Sequence, residues 1–121
     1  MAAVRYLVAD TDQAVAFYTD LLGFTLQTRM GPAFAIVGRD GLELWLSGPQ
    51  TSAAQPMPDG RAPTPGGWNR LVLEVEDVQE VVARLRAAEV PFRNDPLSGP
   101  GGTQVLVEDP SGNPVEVFSA R

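Results

Sequence analysis

Two short runs of the sequence place a carboxylate and an aromatic ring side by side. These are Leu42-Glu43-Leu44-Trp45-Leu46-Ser47 and Val115-Glu116-Val117-Phe118. A strand sends alternate side chains to opposite faces, so Glu43 shares a face with Trp45, and Glu116 with Phe118. Two further runs bring guanidinium groups to such faces: Arg5 alternates with Val4 and Tyr6, and Arg70 precedes Leu71-Val72-Leu73-Glu74-Val75. Phe34 and Trp68 are further aromatic rings available for stacking. A carboxylate can accept a proton or hold a cation, a guanidinium can hold an oxyanion, and an aromatic ring can stack on a flat molecule. The chain has no histidine and no cysteine. Ser-His and Cys-His triads, imidazole or thiolate metal sites and disulfides are therefore excluded within it. The serines, Ser47 among them, have no recognised base partner.

The elements that must carry these residues form a weak internal repeat. Val8-Ala9-Asp10-Thr11-Asp12-Gln13-Ala14-Val15-Ala16 reads like Val75-Glu76-Asp77-Val78-Gln79-Glu80-Val81-Val82-Ala83. In each, an apolar strand ends in Val-x-Asp and a helical pattern starts at once, with Asp10/Gln13 and Asp77/Glu80 spaced as capping boxes. Ala14, Val15, Tyr18, Leu21 and Leu22 form one apolar helical stripe, and Val78, Val81, Val82, Leu85 and Ala88 the other. Three strand-like runs follow each helix: 24–29, 33–37 and 42–47 in the first half, and 91–94, 103–107 and 114–118 in the second. The breakers Gly31-Pro32, Asp40-Gly41 and Asp109-Pro110-Ser111-Gly112-Asn113 separate them. The spacing predicts an α+β fold of two βαβββ modules, about 1–47 and 68–121. The Pro-, Gly- and Ser-rich stretch 48–67 is expected as a loop or lid between them.

One face of the strands is uniformly apolar and suits the helices. The other mixes Arg5, Glu43, Trp45, Arg70, Glu74, Glu116 and Phe118. Such a face could simply be wet, but aromatic rings among convergent polar groups are what a small-molecule site uses. The 121 residues fit one domain-sized chain, and a 44% hydrophobic content can build a core. A net charge of −6 disfavours nucleic acid and mildly favours cationic ligands. The opening residues lack a secretory pattern and no run is long and apolar enough for a membrane span, so a cytoplasmic protein is the expectation.

The segments Ala16-Phe17-Tyr18-Thr19-Asp20-Leu21-Leu22-Gly23-Phe24, Leu42-Glu43-Leu44, Trp68 through Val75, and Asp109-Pro110-Ser111-Gly112-Asn113-Pro114-Val115-Glu116-Val117-Phe118 resemble the glyoxalase/bleomycin-resistance/dioxygenase family, the vicinal oxygen chelate superfamily. The resemblance spans nearly the whole chain. It implies curved mixed sheets around a cleft, and a homodimer. It also implies metal-ligand positions that fall on Ala3, Glu43, Arg70 and Glu116. Ala3 has no donor atom, and Arg70 is a permanent cation. At ~4 Å and an effective dielectric of ~20, Arg70 would repel a dication by several kcal/mol. No metal and no cofactor is therefore expected. Arg70 is expected to pair with Glu43 and Glu116 in the metal's place.

The resemblance then points to the metal-free, drug-binding branch, whose members sequester a ligand unchanged. The expected partner is a small molecule, an aromatic or cationic antibiotic, held by Arg5, Phe34, Glu43, Trp45, Trp68, Arg70, Glu116 and Phe118. The alternative is a glyoxalase-like lyase or isomerase, or a dioxygenase, using Glu43 and Glu116. Trp68 also admits a plainer role, as a partly buried anchor of the 48–67 segment.

Overall fold

Apolar residues at every second position from Val4 commit the chain to a strand whose Tyr6 face is buried, β1 (Val4–Leu7). Asp10 stops it and starts the helix α1 (Thr11–Ala16): the Asp10 carboxylate accepts the Gln13 N–H at 2.9 Å, satisfying an orphan donor of the first turn. The computed structural model describes residues 1–121, and the chain divides into two compact units, Met1–Gly66 and Gly67–Arg121. Each has the expected βαβββ order.

In the first unit α1 runs into a π-helical turn, Phe17–Leu21. The wider turn inserts a residue into the 3.6-residue period. The buried set is therefore Ala14, Phe17, Tyr18 and Leu22, whereas Val15 and Leu21 of the expected stripe are only half-buried. Phe17 meets Tyr18 edge-on at 5.0 Å, and Tyr18 meets Phe24 edge-on at 5.4 Å, a favoured aromatic geometry. Gly23, at φ 74°, reverses the chain so that Phe24 N–H donates to the Tyr18 carbonyl at 3.0 Å.

Three antiparallel-linked strands follow: β2 (Thr25–Met30), β3 (Phe34–Arg39) and β4 (Leu42–Ser47). The sheet order is β1-β4-β3-β2, with β1 parallel to β4. A parallel pair needs a crossover, and α1 supplies it, packing on β3 and β4. Tyr6, Val8, Ala35, Val37, Leu44 and Leu46 form the buried face beneath the helix. The 48–67 segment is not wholly irregular. It holds a 3-10 turn at Ser52–Ala54 and a tight reversal in which Met57 N–H donates to the Arg61 carbonyl at 2.7 Å.

The second unit repeats the plan with β5 (Leu71–Glu74), α2 (Val78–Ala87), β6 (Leu97–Gly99), β7 (Gly102–Glu108) and β8 (Pro114–Ala120), in sheet order β5-β8-β7-β6. Asp77 caps α2 by accepting from Gln79 and Glu80 N–H. Val78, Val81, Val82 and Leu85 face the sheet, while Ala88 caps the helix end and is exposed. The expected strand at 91–94 is shortened: Arg93 N–H donates to the Leu106 carbonyl and Glu108 N–H to the Pro91 carbonyl, both at 2.9 Å. Phe92 makes a single bridge to Val107, and the paired strand lies further on, at Leu97–Gly99. Side chains of this segment make further bonds. The Arg93 guanidinium bonds Glu108, the Gly67 carbonyl and the Gly112 carbonyl, and Asn94 Oδ1 takes the Leu106 N–H at 2.8 Å in place of a ladder bond. No helix is long and apolar enough to cross a membrane.

Candidate functional site

In the first unit the face opposite α1 gathers four of the expected site residues. Parallel pairing sets Arg5 opposite Trp45, and the antiparallel hairpin sets Ile36 opposite Trp45 and Phe34 opposite Ser47. The Arg5 guanidinium lies over the Trp45 ring, 5.2 Å from its centroid, within cation–π range. It also donates to Ser47 Oγ at 3.0 Å. Phe34 meets Trp45 edge-on at 5.8 Å. Glu43, two residues before Trp45 and so on the same face, accepts the indole N–H at 3.1 Å. Trp45 is thereby held from three directions, with Arg5 exposed and Glu43 and Trp45 half-buried.

Trp45 lines one depression, and Glu43, two residues before it, borders a second. The first, about 230 Å³, is lined by Met1, Ala3, Val4, Arg5 and Trp45. The other, about 550 Å³, is lined by Thr25, Gln27, Gly38, Leu42 and Glu43 among others. Gln27 occupies a β-bulge between Leu26 and Thr28, and its carboxamide crosses the bare backbone of Gly38, the residue paired with Glu43. A Cβ at Gly38 would collide with that carboxamide, which is the end of a flexible chain and can swing away. Gly38→Ala is therefore expected to cost less than about 1 kcal/mol. It should move the Gln27 side-chain NH₂ signals in the ¹⁵N spectrum while leaving the Trp45 indole signal in place. Gln27 and Ser47 are site residues that sequence reasoning missed. Ser47 was legible, since it alternates with Trp45. Gln27 was not, because a bulge breaks the period of two.

In the second unit Arg70 stands one residue before β5 rather than within it. It donates through Nε and Nη2 to the same oxygen of Glu116, at 3.0 and 2.9 Å. Its third contact is the Trp68 carbonyl at 3.3 Å. Glu116 is 7% exposed, so its charge is answered at close range by a charge-assisted pair. Within the second unit Arg70 pairs with Glu116, and within the first Glu43 accepts the Trp45 indole N–H. Phe118, paired with Glu74 and Gln104, is half-buried on the open face of β8.

Trp68 departs from expectation as an anchor. It is 68% exposed, on the loop before β5, with the Arg93 guanidinium 4.6 Å above its ring. Arg93 is fixed by Glu108 and by two backbone carbonyls. It therefore steadies the ring from one side and leaves the other side open to solvent.

The donor set does not fit a divalent metal. Ala3 offers nothing, and Glu116 directs one oxygen to a guanidinium. Catalytic divalent ions of this class need several protein ligands beside open positions.

Residues 1–117 match the family model of the Glyoxalase/Bleomycin resistance protein/Dioxygenase superfamily. The chain is similar to lactoylglutathione lyase from Agrobacterium tumefaciens (25% identity, TM-score 0.75, 98% of this chain and 92% of that one). It is also similar to a glyoxalase/bleomycin resistance protein/dioxygenase from Nocardioides (27%, TM-score 0.71, 98% and 82%). A third similar structure is TnmS3, an antibiotic binding protein from Streptomyces sp. CB03234 (26%, TM-score 0.70, 100% and 97%). Twin βαβββ units and a family match over nearly the full length agree, and the chain belongs to the Glyoxalase/Bleomycin resistance protein/Dioxygenase superfamily.

Proposed function

We propose that this protein binds a small aromatic molecule without a metal and sequesters it, as an antibiotic-binding protein would. The observation that carries the reading is the presentation of Trp45. Its ring is held by Arg5, Phe34 and Glu43 on the sheet face opposite α1 and lines a depression there. Preorganised aromatic surface binds flat ligands at low entropic cost, and each ring contact contributes about 0.5–1.5 kcal/mol beyond burial. Similarity to a protein described as antibiotic-binding supports the reading. In the second unit, Arg70 neutralises Glu116 and leaves Phe118, Val72 and Leu106 as the apolar contribution of its sheet face. Trp68 offers one free ring face.

The test is calorimetric titration with planar polycyclic and cationic glycopeptide antibiotics, with and without EDTA and added zinc. Binding is expected with at least one class, unaffected by chelator or metal, and about tenfold weaker in Trp45→Ala, as the loss of ~1.4 kcal/mol requires. Metal-dependent binding, or unchanged affinity in Trp45→Ala, would overturn the reading.

A second reading is favoured by Glu43, whose carboxylate borders the larger depression with no ion-pair partner in its unit. There it would act as general base in lyase or isomerase chemistry. Turnover that disappears in Glu43→Gln while ligand binding persists would establish it.

A further inference from the structure

The charges around Trp45 specify more about the ligand than its flatness. Arg5 and Glu43 are both without an ion-pair partner in the first unit: Arg5 bonds Ser47 and covers Trp45, and Glu43 accepts only the Trp45 N–H. Every other arginine of this unit is already satisfied by a carboxylate, Arg29 by Asp12, Arg39 by Asp40 and Arg61 by Asp59. Arg5 is thus the one arginine of the unit without a carboxylate partner, and it and Glu43 contact the same ring.

Their spacing follows from the sheet. Arg5 sits one strand across from Trp45, and Glu43 two residues along the strand. With ~4.8 Å between strands and ~3.3 Å per residue, their backbones are separated diagonally by roughly 8 Å. The side chains then diverge: Arg5 reaches Ser47, on the far side of Trp45 from Glu43 along β4, and Glu43 holds the indole N–H, so the two charges stand at opposite ends of this ring. The smaller depression opens at Arg5 and the larger at Glu43, where Gln27 adds a carboxamide. An anionic or strongly accepting oxygen would take the guanidinium N–H groups that Ser47 does not use, and a donating amine or hydroxyl would meet Glu43 and Gln27.

We infer that the ligand is a planar aromatic molecule of dipolar pattern, with an anionic or acceptor oxygen at the Arg5 end and a hydrogen-bond donor at the Glu43 end. This rests on the proposed function and deepens it by naming the ligand's charge pattern. It also places a restriction on that function: a plain polycation, which the net charge of −6 alone would favour, is not the best ligand at this face.

The test uses the ¹⁵N-labelled full chain and follows the Trp45 indole N–H signal, assigned by its loss in Trp45→Phe. Three probes share one ring system: 6-amino-2-naphthoic acid, 2-naphthoic acid and 2-naphthylmethylammonium. All three are expected to shift the Trp45 signal, with the aminonaphthoic acid binding about tenfold more tightly than either relative, since two polar contacts replace one. Arg5→Leu should abolish the advantage of the carboxylate, and Glu43→Leu that of the amine. Each variant's own ¹⁵N spectrum verifies that it remains folded. Equal affinity for the three probes would overturn the dipolar pattern and leave the aromatic-binding function standing. Tightest binding by the ammonium probe would overturn the Arg5 assignment in particular. Failure of every probe to move the Trp45 signal would overturn the function and the inference together.

Discussion

Asp109→Ala is expected to lower the melting temperature by about 10–15 °C, a loss of about 3–4 kcal/mol in a chain of this size. Asp109 is 2% exposed, and its carboxylate accepts three N–H groups: Ser111 and Asn113 backbone at 2.9 Å each, and the Asn113 amide at 3.0 Å. Alanine leaves those donors in a region water reaches poorly, and an unmade buried hydrogen bond costs more than a made one contributes. The consequence extends to the second unit's open face. This turn joins β7 to β8 and sets the register that places Leu106 opposite Glu116 and Gln104 opposite Phe118. Asp109→Asn retains the shape and one acceptor oxygen and should lose roughly half as much. Thermal unfolding followed by circular dichroism reads the difference. A melting point for Asp109→Ala within about 2 °C of the parent would show that the turn is held by its backbone alone.

The second large effect concerns the guanidinium that stands at an expected metal-ligand position. Arg70→Met keeps the apolar stem but leaves the Glu116 carboxylate, 7% exposed, without its partner. Removing one member of a buried pair typically costs 3–5 kcal/mol, because the remaining charge stays desolvated. The Arg70 side chain is 30% exposed, so solvent relieves part of this. A loss of about 2–3 kcal/mol is therefore expected, seen as a lower urea midpoint with an unchanged slope. The double variant Arg70→Met/Glu116→Leu removes both charges and should recover most of that loss. Recovery would mean that Arg70 is there to neutralise Glu116. If the single variant is as stable as the parent, Glu116 does not depend on Arg70, and the view of this pair as a structural replacement for a metal fails.

Much of the architecture was legible because it depends on short-range patterns. The Val-x-Asp boundaries appear as the two helix caps, and the alternation around Glu43, Trp45, Glu116 and Phe118 put each on the face opposite its helix. The departures occur where the backbone leaves its regular period. The π-turn at Phe17–Leu21 moved the buried stripe, the bulge at Gln27 hid a residue that borders the same depression as Glu43, and the Asn94 side chain took the Leu106 N–H and cut short the pairing of 91–94.

By itself the sequence determined the two βαβββ units, the absence of imidazole and thiolate chemistry, and which residues share a strand face. Those properties follow from side-chain identity and from periods of two and 3.6 residues, which are local. Only the tertiary structure decided the partners: Arg5 with Trp45 and Ser47, Glu43 with the Trp45 indole, Arg70 with Glu116, Trp68 beneath Arg93. Partnership depends on strand register and on the reach of long side chains across residues far apart in the chain. A period of two specifies the face a residue occupies and carries no information about the neighbour it finds there.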